Sequence, residues 1–288
     1  MKIRIFRTSD DYYHHYRHWE PSAGVPRAYV VALHGIQSHS GWYGYSSQRL
    51  SDQGFDVRFL DRRGSGLNGC ERGHTPHYER LLNDVRQFLV ALRAERDIER
   101  PGAPTLLTGI SWGGKVAAAV AIQFPDLVDG VGLLYPGICA KVKPTGLQQR
   151  LLKLARLQGQ GKRRVTIPLD DPALFTGEPE WQSFIRNDRY ALRQVSLDFL
   201  QASLDLEKII QKDASKLSVP LLMLLAGQDE IIDNGRTLAL MMKFGAPQEN
   251  LVIYQNARHT LEFEPNRHEI FSDLIDWMNH LSRRTVIG

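Results

Sequence analysis

The stretch Thr105-Leu106-Leu107-Thr108-Gly109-Ile110-Ser111-Trp112-Gly113-Gly114 decides how the rest of the chain is read. A short β-like run leads into Gly-x-Ser-x-Gly, and an alanine-rich run from Lys115 to Phe124 follows with helical character. A strand that turns sharply into a helix through this pentapeptide presents its serine at the top of a sheet. The turn is crowded, so small residues at 109 and 113 let it close. Gly and Ser are common, so the pattern takes its meaning from what flanks it.

Upstream, Ala28 to Leu33 is an apolar run ending in His34-Gly35, which suits a buried parallel strand. Residues 3–7 and 12–19 around Ser9-Asp10-Asp11 read as a β-hairpin. Ser40 to Gln53 reads as a helix with Gly54 behind it, and Asp56 to Leu60 as a strand. Leu81, Leu82, Val85, Phe88, Leu89 and Leu92 recur at helical spacing within His77 to Arg96. Val128 to Tyr135 is a further strand. Beyond residue 205 the rhythm resumes: strand Val219 to Ala226, helix Gly235 to Phe244, strand Leu251 to Tyr254, helix Arg267 to Leu281. Strands alternating with helices imply a mostly parallel sheet with helices on both faces. Residues 138–205 show no clear strand. They read as a cap inserted into a core made of 1–137 and 206–288.

Composition narrows the class. The 288 residues are 42% hydrophobic and 24% charged, with a formal net charge of +4. That is ordinary for a globular chain and gives no reason to expect nucleic acid. Cys70 and Cys139 lack zinc-type spacing, so they read as free thiols in a reducing compartment, with no metal site. No stretch has the length and apolarity of a membrane span, and a cytoplasmic protein is expected.

An elbow serine needs a base to take its proton and an acid to orient that base. Both should lie just past strand ends, in the order Ser, Asp or Glu, His. Asp229 follows the strand ending at Ala226, and His259 follows the strand ending near Tyr254. Glu230 and Asp233 compete with Asp229, but Asp233 is placed to cap the next helix. His14, His15 and His18 read as a solvated strand face, and His268 and His280 as surface positions. His74 and His77 are minor candidates for substrate contact. An oxyanion hole would take one N–H from Trp112 and one from Ile36, in the loop after His34-Gly35. Trp112, Tyr135 and His34 are the candidates for touching substrate.

His34-Gly35, Asp61-x-Arg63-Gly64-x-Gly66, Gly109-x-Ser111-x-Gly113, Gly227-x-Asp229-x-x-x-Asp233 and Ala257-x-His259 occur in the order seen in α/β-hydrolases. Within that superfamily the chain most resembles monoacylglycerol lipase and lysophospholipase-like serine hydrolases. Asn187-Asp188-x-Tyr190 and Leu217-x-Val219-Pro220 add to the likeness. The resemblance implies an α/β-hydrolase fold and a serine esterase acting on a small-molecule acyl ester. Ser111 would be nucleophile, His259 base, Asp229 acid, and no cofactor would be needed. Thioesterases, amidases and acyltransferases use the same triad, and a non-catalytic binding protein could share the fold. Oligomeric state stays open.

Between Lys141 and Arg164 there are eight basic residues and no acidic one. Leu147, Leu151, Leu154 and Leu157 recur at helical spacing, with Arg150, Lys153 and Arg156 interleaved. The preferred reading is a cap helix burying its leucines over the site, because the stripe is narrow. The other rests the helix on an anionic lipid surface.

Overall fold

The computed structural model describes residues 1–22, 24–247 and 249–284. Residues 23, 248 and 285–288, which fall within the expected core segments, lie outside the described residues. The chain opens with β1 (Lys2–Arg7), β2 (Tyr13–Trp19), β3 (Tyr29–Leu33), α1 (Gly44–Asp52), β4 (Asp56–Leu60) and α2 (Tyr78–Glu99). β5 (Thr105–Ile110), α3 (Trp112–Gln123) and β6 (Gly130–Leu134) follow. Then come α4 (Gly146–Leu157), β7 (Arg164–Thr166), α5 (Pro179–Asn187), β8 (Gln194–Ser196) and α6 (Leu197–Lys212). β9 (Leu221–Ala226), α7 (Asn234–Met241), β10 (Glu249–Tyr254) and α8 (Arg267–Arg284) close the chain.

Eight strands form one sheet in the order β1-β2-β4-β3-β5-β6-β9-β10. β2 is antiparallel to both of its neighbours, and every other pairing is parallel. Side chains alternate along the strands. Val31, Leu33, Leu107, Val131, Leu133, Met223 and Leu225 therefore point into one core, which α2, α3 and α6 complete. Val30, Ala32, Leu106, Leu134, Leu222 and Leu224 point into the other, closed by α1 and α8. The helical spacing read in α2 buries all six of its marked apolar residues. α3 is buried on every side, and its run Ala117, Ala118, Ala119 is fully covered. Alanine suits a helix squeezed between a sheet and further helices, because it brings backbones close.

The structure alters three expectations. First, α1 begins only at Gly44, because Ser40–Trp42 forms a 3₁₀ turn. Second, residues 138–205 do contain strands. β7 and β8 pair antiparallel over three residues each, too short to leave a period-two signature. Third, His14 and His18 are buried. β1 occupies the edge, so β2 is interior, and the two histidines meet carboxylates from afar: His18 Nε2 lies 2.7 Å from Asp56 Oδ2 and His14 Nε2 lies 3.4 Å from Asp84 Oδ2.

Gly113 marks where the elbow helix meets the neighbouring strand. A Cβ placed there would lie 2.3 Å from the Leu33 carbonyl oxygen, closer than atoms can approach. Gly113→Ala should therefore cost roughly 1–3 kcal/mol of stability, the range for overpacking. Gly146→Ala, where a Cβ meets nothing within 4 Å, should be neutral or better. Urea melts of the two variants check the contrast; equal midpoints would contradict it.

Candidate active site

The loops at the carboxyl ends of β3, β5, β6, β9 and β10 converge over the sheet. Ser111 follows β5 directly and holds φ 50° and ψ −121°, in the left-handed half of conformational space. Its N–H donates to Leu134 O at 2.9 Å, and its carbonyl accepts from Gly137 N–H at 2.5 Å. Both ends of the strained residue are thus pinned by β6 and the turn after it. The Ser111 hydroxyl stands 2.9 Å from His259 Nε2, and His259 Nδ1 stands 2.8 Å from Asp229 Oδ2. A carboxylate only accepts, so Nδ1 keeps its proton and donates to Asp229, which leaves Nε2 to accept from the serine.

Asp229 is held as firmly as it holds the histidine. Its Oδ1 accepts from Ile231 N–H at 2.8 Å and Ile232 N–H at 2.9 Å. Burial alone would raise its pKa. The facing His259 ring and these two N–H groups outweigh burial and keep the carboxyl below its ordinary value. Asp233 instead caps α7, accepting from Arg236 N–H at 3.0 Å. Glu230 faces Arg258 at 3.6 Å.

Ile36 and Trp112 both line the cavity at Ser111, and among the hydrogen bonds of the described residues neither N–H has an acceptor. Two features missed in the sequence keep them available. A Cβ at Gly137 would sit 2.8 Å from the Trp112 nitrogen, so only glycine leaves room beside that N–H. The Arg62 guanidinium donates to Gly35 O at 3.1 Å and Ile36 O at 3.0 Å, which turns the Ile36 N–H the opposite way. Arg62 also lies on the Trp112 ring, 4.6 Å from its centroid. An Arg after an Asp at a strand end gives no hint of this from sequence, since its partners stand 26 and 27 positions away.

The expected substrate contacts need correcting. His34 is buried and satisfied within its own loop: Nδ1 donates to Gly35 O at 2.8 Å, and Nε2 accepts from Arg62 N–H at 2.9 Å. Tyr135 is fully covered and packs its ring edge-on to His259 at 4.8 Å, supporting the imidazole from beneath. Neither lines the cavity in front of Ser111. Trp112 does, but its indole turns to α6 and donates to Ser203 Oγ at 2.9 Å. His74 bonds Ser196 and His77 pairs with Glu79, both away from the cavity. Asp188 brackets the insertion to the loop after β3, accepting from Trp42 Nε1 at 2.6 Å with His39 Nε2 at 3.0 Å.

The cavity measures about 710 Å³. α4, β7 and α6 wall it with Leu152, Val165, Leu200 and Leu204, and Ile232 closes the side below Asp229. α4 does not bury its leucine stripe. Leu147, Leu151, Leu154 and Leu157 are 68, 55, 52 and 85% exposed, and only Leu152 turns inward to full burial. Among the described residues no helix is long and apolar enough to cross a membrane.

A family model described as serine aminopeptidase, S33 matches residues 24–266. Human monoglyceride lipase is 25% identical over 281 residues, covering 96% of this chain and 89% of that one. An uncharacterized abhydrolase domain-containing protein of Dictyostelium discoideum is 26% identical over 265 residues, 91% of this chain; the chain spans only 27% of that relative's length. The crystal structure of Paleococcus ferrophilus monoacylglycerol lipase superposes with a TM-score of 0.81 at 22% identity, covering 98% of this chain and all of that one. The fold is that of the α/β-hydrolases.

Glu262, three residues past His259, holds the start of α1: its Oε1 accepts from Tyr45 and Ser46 N–H at 3.0 Å each, while Oε2 is buried without a partner. Burial pushes its pKa up to about 7 against the pull of those donors. The folded state therefore keeps a proton that the unfolded chain releases near pH ~4.3. Stability from this group is full below the unfolded value and falls as pH rises towards about 7. Glu262→Gln keeps an acceptor and cannot ionise. Its melting temperature should exceed wild type at about pH 8 and by much less at about pH 5. A gain independent of pH in thermal melts would contradict this.

Proposed function

The chain belongs to the serine aminopeptidase S33 family, and we propose that it is a carboxylic ester hydrolase working through an acyl-enzyme. The observation that carries this reading is the unbroken hydrogen-bonded series from Ser111 through His259 to Asp229, opening into a largely apolar cavity. Ser111 Oγ attacks the ester carbonyl as His259 Nε2 takes its proton. The carbonyl oxygen becomes an oxyanion held by the Ile36 and Trp112 N–H groups. The C–O bond breaks, and the leaving alcohol takes the proton back from His259. Water then attacks the acyl-enzyme with His259 again as base, releasing the acid and freeing Ser111. Asp229 keeps the imidazole in the right tautomer throughout.

The apolar walls favour an acyl chain, as does the likeness to human monoglyceride lipase. We assign 138–205 as the cap and 1–137 with 206–288 as the core; α6 runs through the boundary, its later Leu206 and Ile210 buried with α3. The free Cys70 and Cys139 support a cytoplasmic setting.

The outward leucines of α4 favour a second element of this reading, contact with an anionic lipid surface. Arg150 and Lys153 flank them and are exposed, while Arg156 is paired with Asp198 at 2.6 Å. Leu151 borders the cavity as well as facing solvent, so α4 would sit where a lipid ester leaves the membrane. The protein should float with anionic phosphatidylglycerol vesicles, less so as salt rises, and Leu154→Gln with Leu157→Gln should abolish flotation. Equal recovery of wild type and the double variant would remove the lipid contact.

Ser111→Ala should abolish 4-nitrophenyl ester turnover and labelling by a fluorophosphonate. Asp229→Asn should lower kcat by about 10⁴, the scale seen when an imidazole is left in the wrong tautomer. Asp233→Ala should keep kcat and lose about 1 kcal/mol of stability, as for a lost cap. Wild-type protein that neither turns over ester nor takes the label would end the enzyme reading in favour of a binding protein.

A further inference from the structure

One turn into the elbow helix stands a lysine. Lys115 lies four residues past Ser111, one turn into α3, which starts at Trp112. Its side chain is only 6% exposed, yet it lines the same cavity as Ser111. The ammonium donates to Ser203 Oγ at 3.1 Å and to Ser203 O at 3.3 Å, and stands 3.7 Å from Glu207 Oε2. Lys143, from the segment before α4, pairs with the other oxygen of Glu207. Two ammonium groups therefore share one carboxylate, and this corner of the wall carries an unbalanced positive charge.

Ser203 adds a directed donor. Its oxygen accepts from Trp112 Nε1 at 2.9 Å and from Lys115 Nζ, which fills both lone pairs. Its own proton has no acceptor among the hydrogen bonds of the described residues, and Ser203 lines the cavity. A buried, half-compensated ammonium beside a hydroxyl with a proton to give is the complement of an anionic oxygen group.

We propose that Lys115, Ser203 and Lys143 form an anion subsite that recognises a carboxylate or phosphate carried by the ester substrate, close to the scissile bond. The proposal rests on the esterase reading of Ser111. It makes the substrate an amphiphile: an apolar part against Leu152, Leu200 and Leu204, and an anionic group at the Lys115 corner. Glu207 is the competitor that such an anion displaces.

Burial pushes the Lys115 pKa down to about 8, and Lys143 pushes the same way, while Glu207 and Cys139 oppose them. Glu207 from α6, Lys143 from the segment before α4 and Cys139 from the turn after β6 are the titratable groups acting on it. The cation is present below about pH 8 and is lost above it.

The test compares kcat/KM for two pairs of esters. One pair is 4-nitrophenyl acyl esters of equal length, ending in methyl or in carboxylate. The other is a monoacylglycerol and the matching lysophosphatidate. Wild type should favour an anionic member by about tenfold, the usual worth of one charge-assisted hydrogen bond. The pair that shows the preference identifies carboxylate or phosphate. Lys115→Met should bring that ratio to about one, whereas a merely structural lysine would lower both members together. Glu207→Gln removes the competing charge and should raise the ratio, a gain that a folding defect cannot produce. The ratio cancels pH effects common to both members and should fall as pH passes about 8. Ratios near one in wild type for both pairs, or a ratio unmoved by Glu207→Gln, overturn the subsite. If no ester is cleaved and the fluorophosphonate leaves Ser111 unlabelled, the esterase reading has failed instead. Calorimetry with octanoate against octanol then decides the subsite, equal affinities overturning it.

Discussion

Ser111 sits at φ 50° and ψ −121°, a conformation that costs a non-glycine residue on the order of 1–3 kcal/mol. Much of the surrounding structure is what keeps it there. β6 takes the Ser111 N–H, and the turn after β6 gives its N–H to the Ser111 carbonyl. Gly113 lets the first turn of α3 press on the end of β3, and Gly109 would drive a Cβ to 2.5 Å from Ala117 Cβ. These contacts are geometric necessities of one sharp turn between a parallel strand and a helix. They tie the turns after β5 and β6 and the end of β3 to one arrangement around Ser111.

The electrostatics of the site follow the same logic of prior arrangement. Asp229 is charged in a buried place because His259 and two backbone N–H groups meet it. Arg62 is half-buried, where two of its donors find the carbonyls of Gly35 and Ile36 and its flat face lies on Trp112. Both groups would be costly if left unpaired. The atoms that pair with them must also be correctly placed for the serine to react, so stability and orientation are enforced by the same bonds.

The sequence spoke clearly wherever function and period coincide. Parallel strands read as apolar runs, and the positions just past β5, β9 and β10 stand out because chemistry-bearing residues follow them. The cap was harder. β7 and β8 are three residues each, and their pairing depends on partners 30 residues apart. His14 and His18 looked like solvated residues because Asp84 and Asp56, which bury with them, are distant in sequence. His34 and Tyr135 sit beside the nucleophile in the fold, but a residue can be adjacent to a site and still be consumed in holding it. Strand-end position alone does not separate the two cases.

α4 shows why periodicity needs a partner surface before it becomes burial. Its leucine stripe has the spacing of a core helix, and that spacing is compatible with any apolar neighbour, protein or lipid. What decides the orientation is the opposite side. Leu152 and Ala155 already line the cavity, and Arg156 anchors the helix to Asp198 on α6. With that face docked, geometry turns Leu147, Leu151, Leu154 and Leu157 outward. The helix thus carries two apolar directions, one lining the space in front of Ser111 and one facing away from the protein, with Leu151 shared between them. A lipid ester passing from one to the other would remain in contact with hydrocarbon, and only its charged end would then need to find the Lys115 corner.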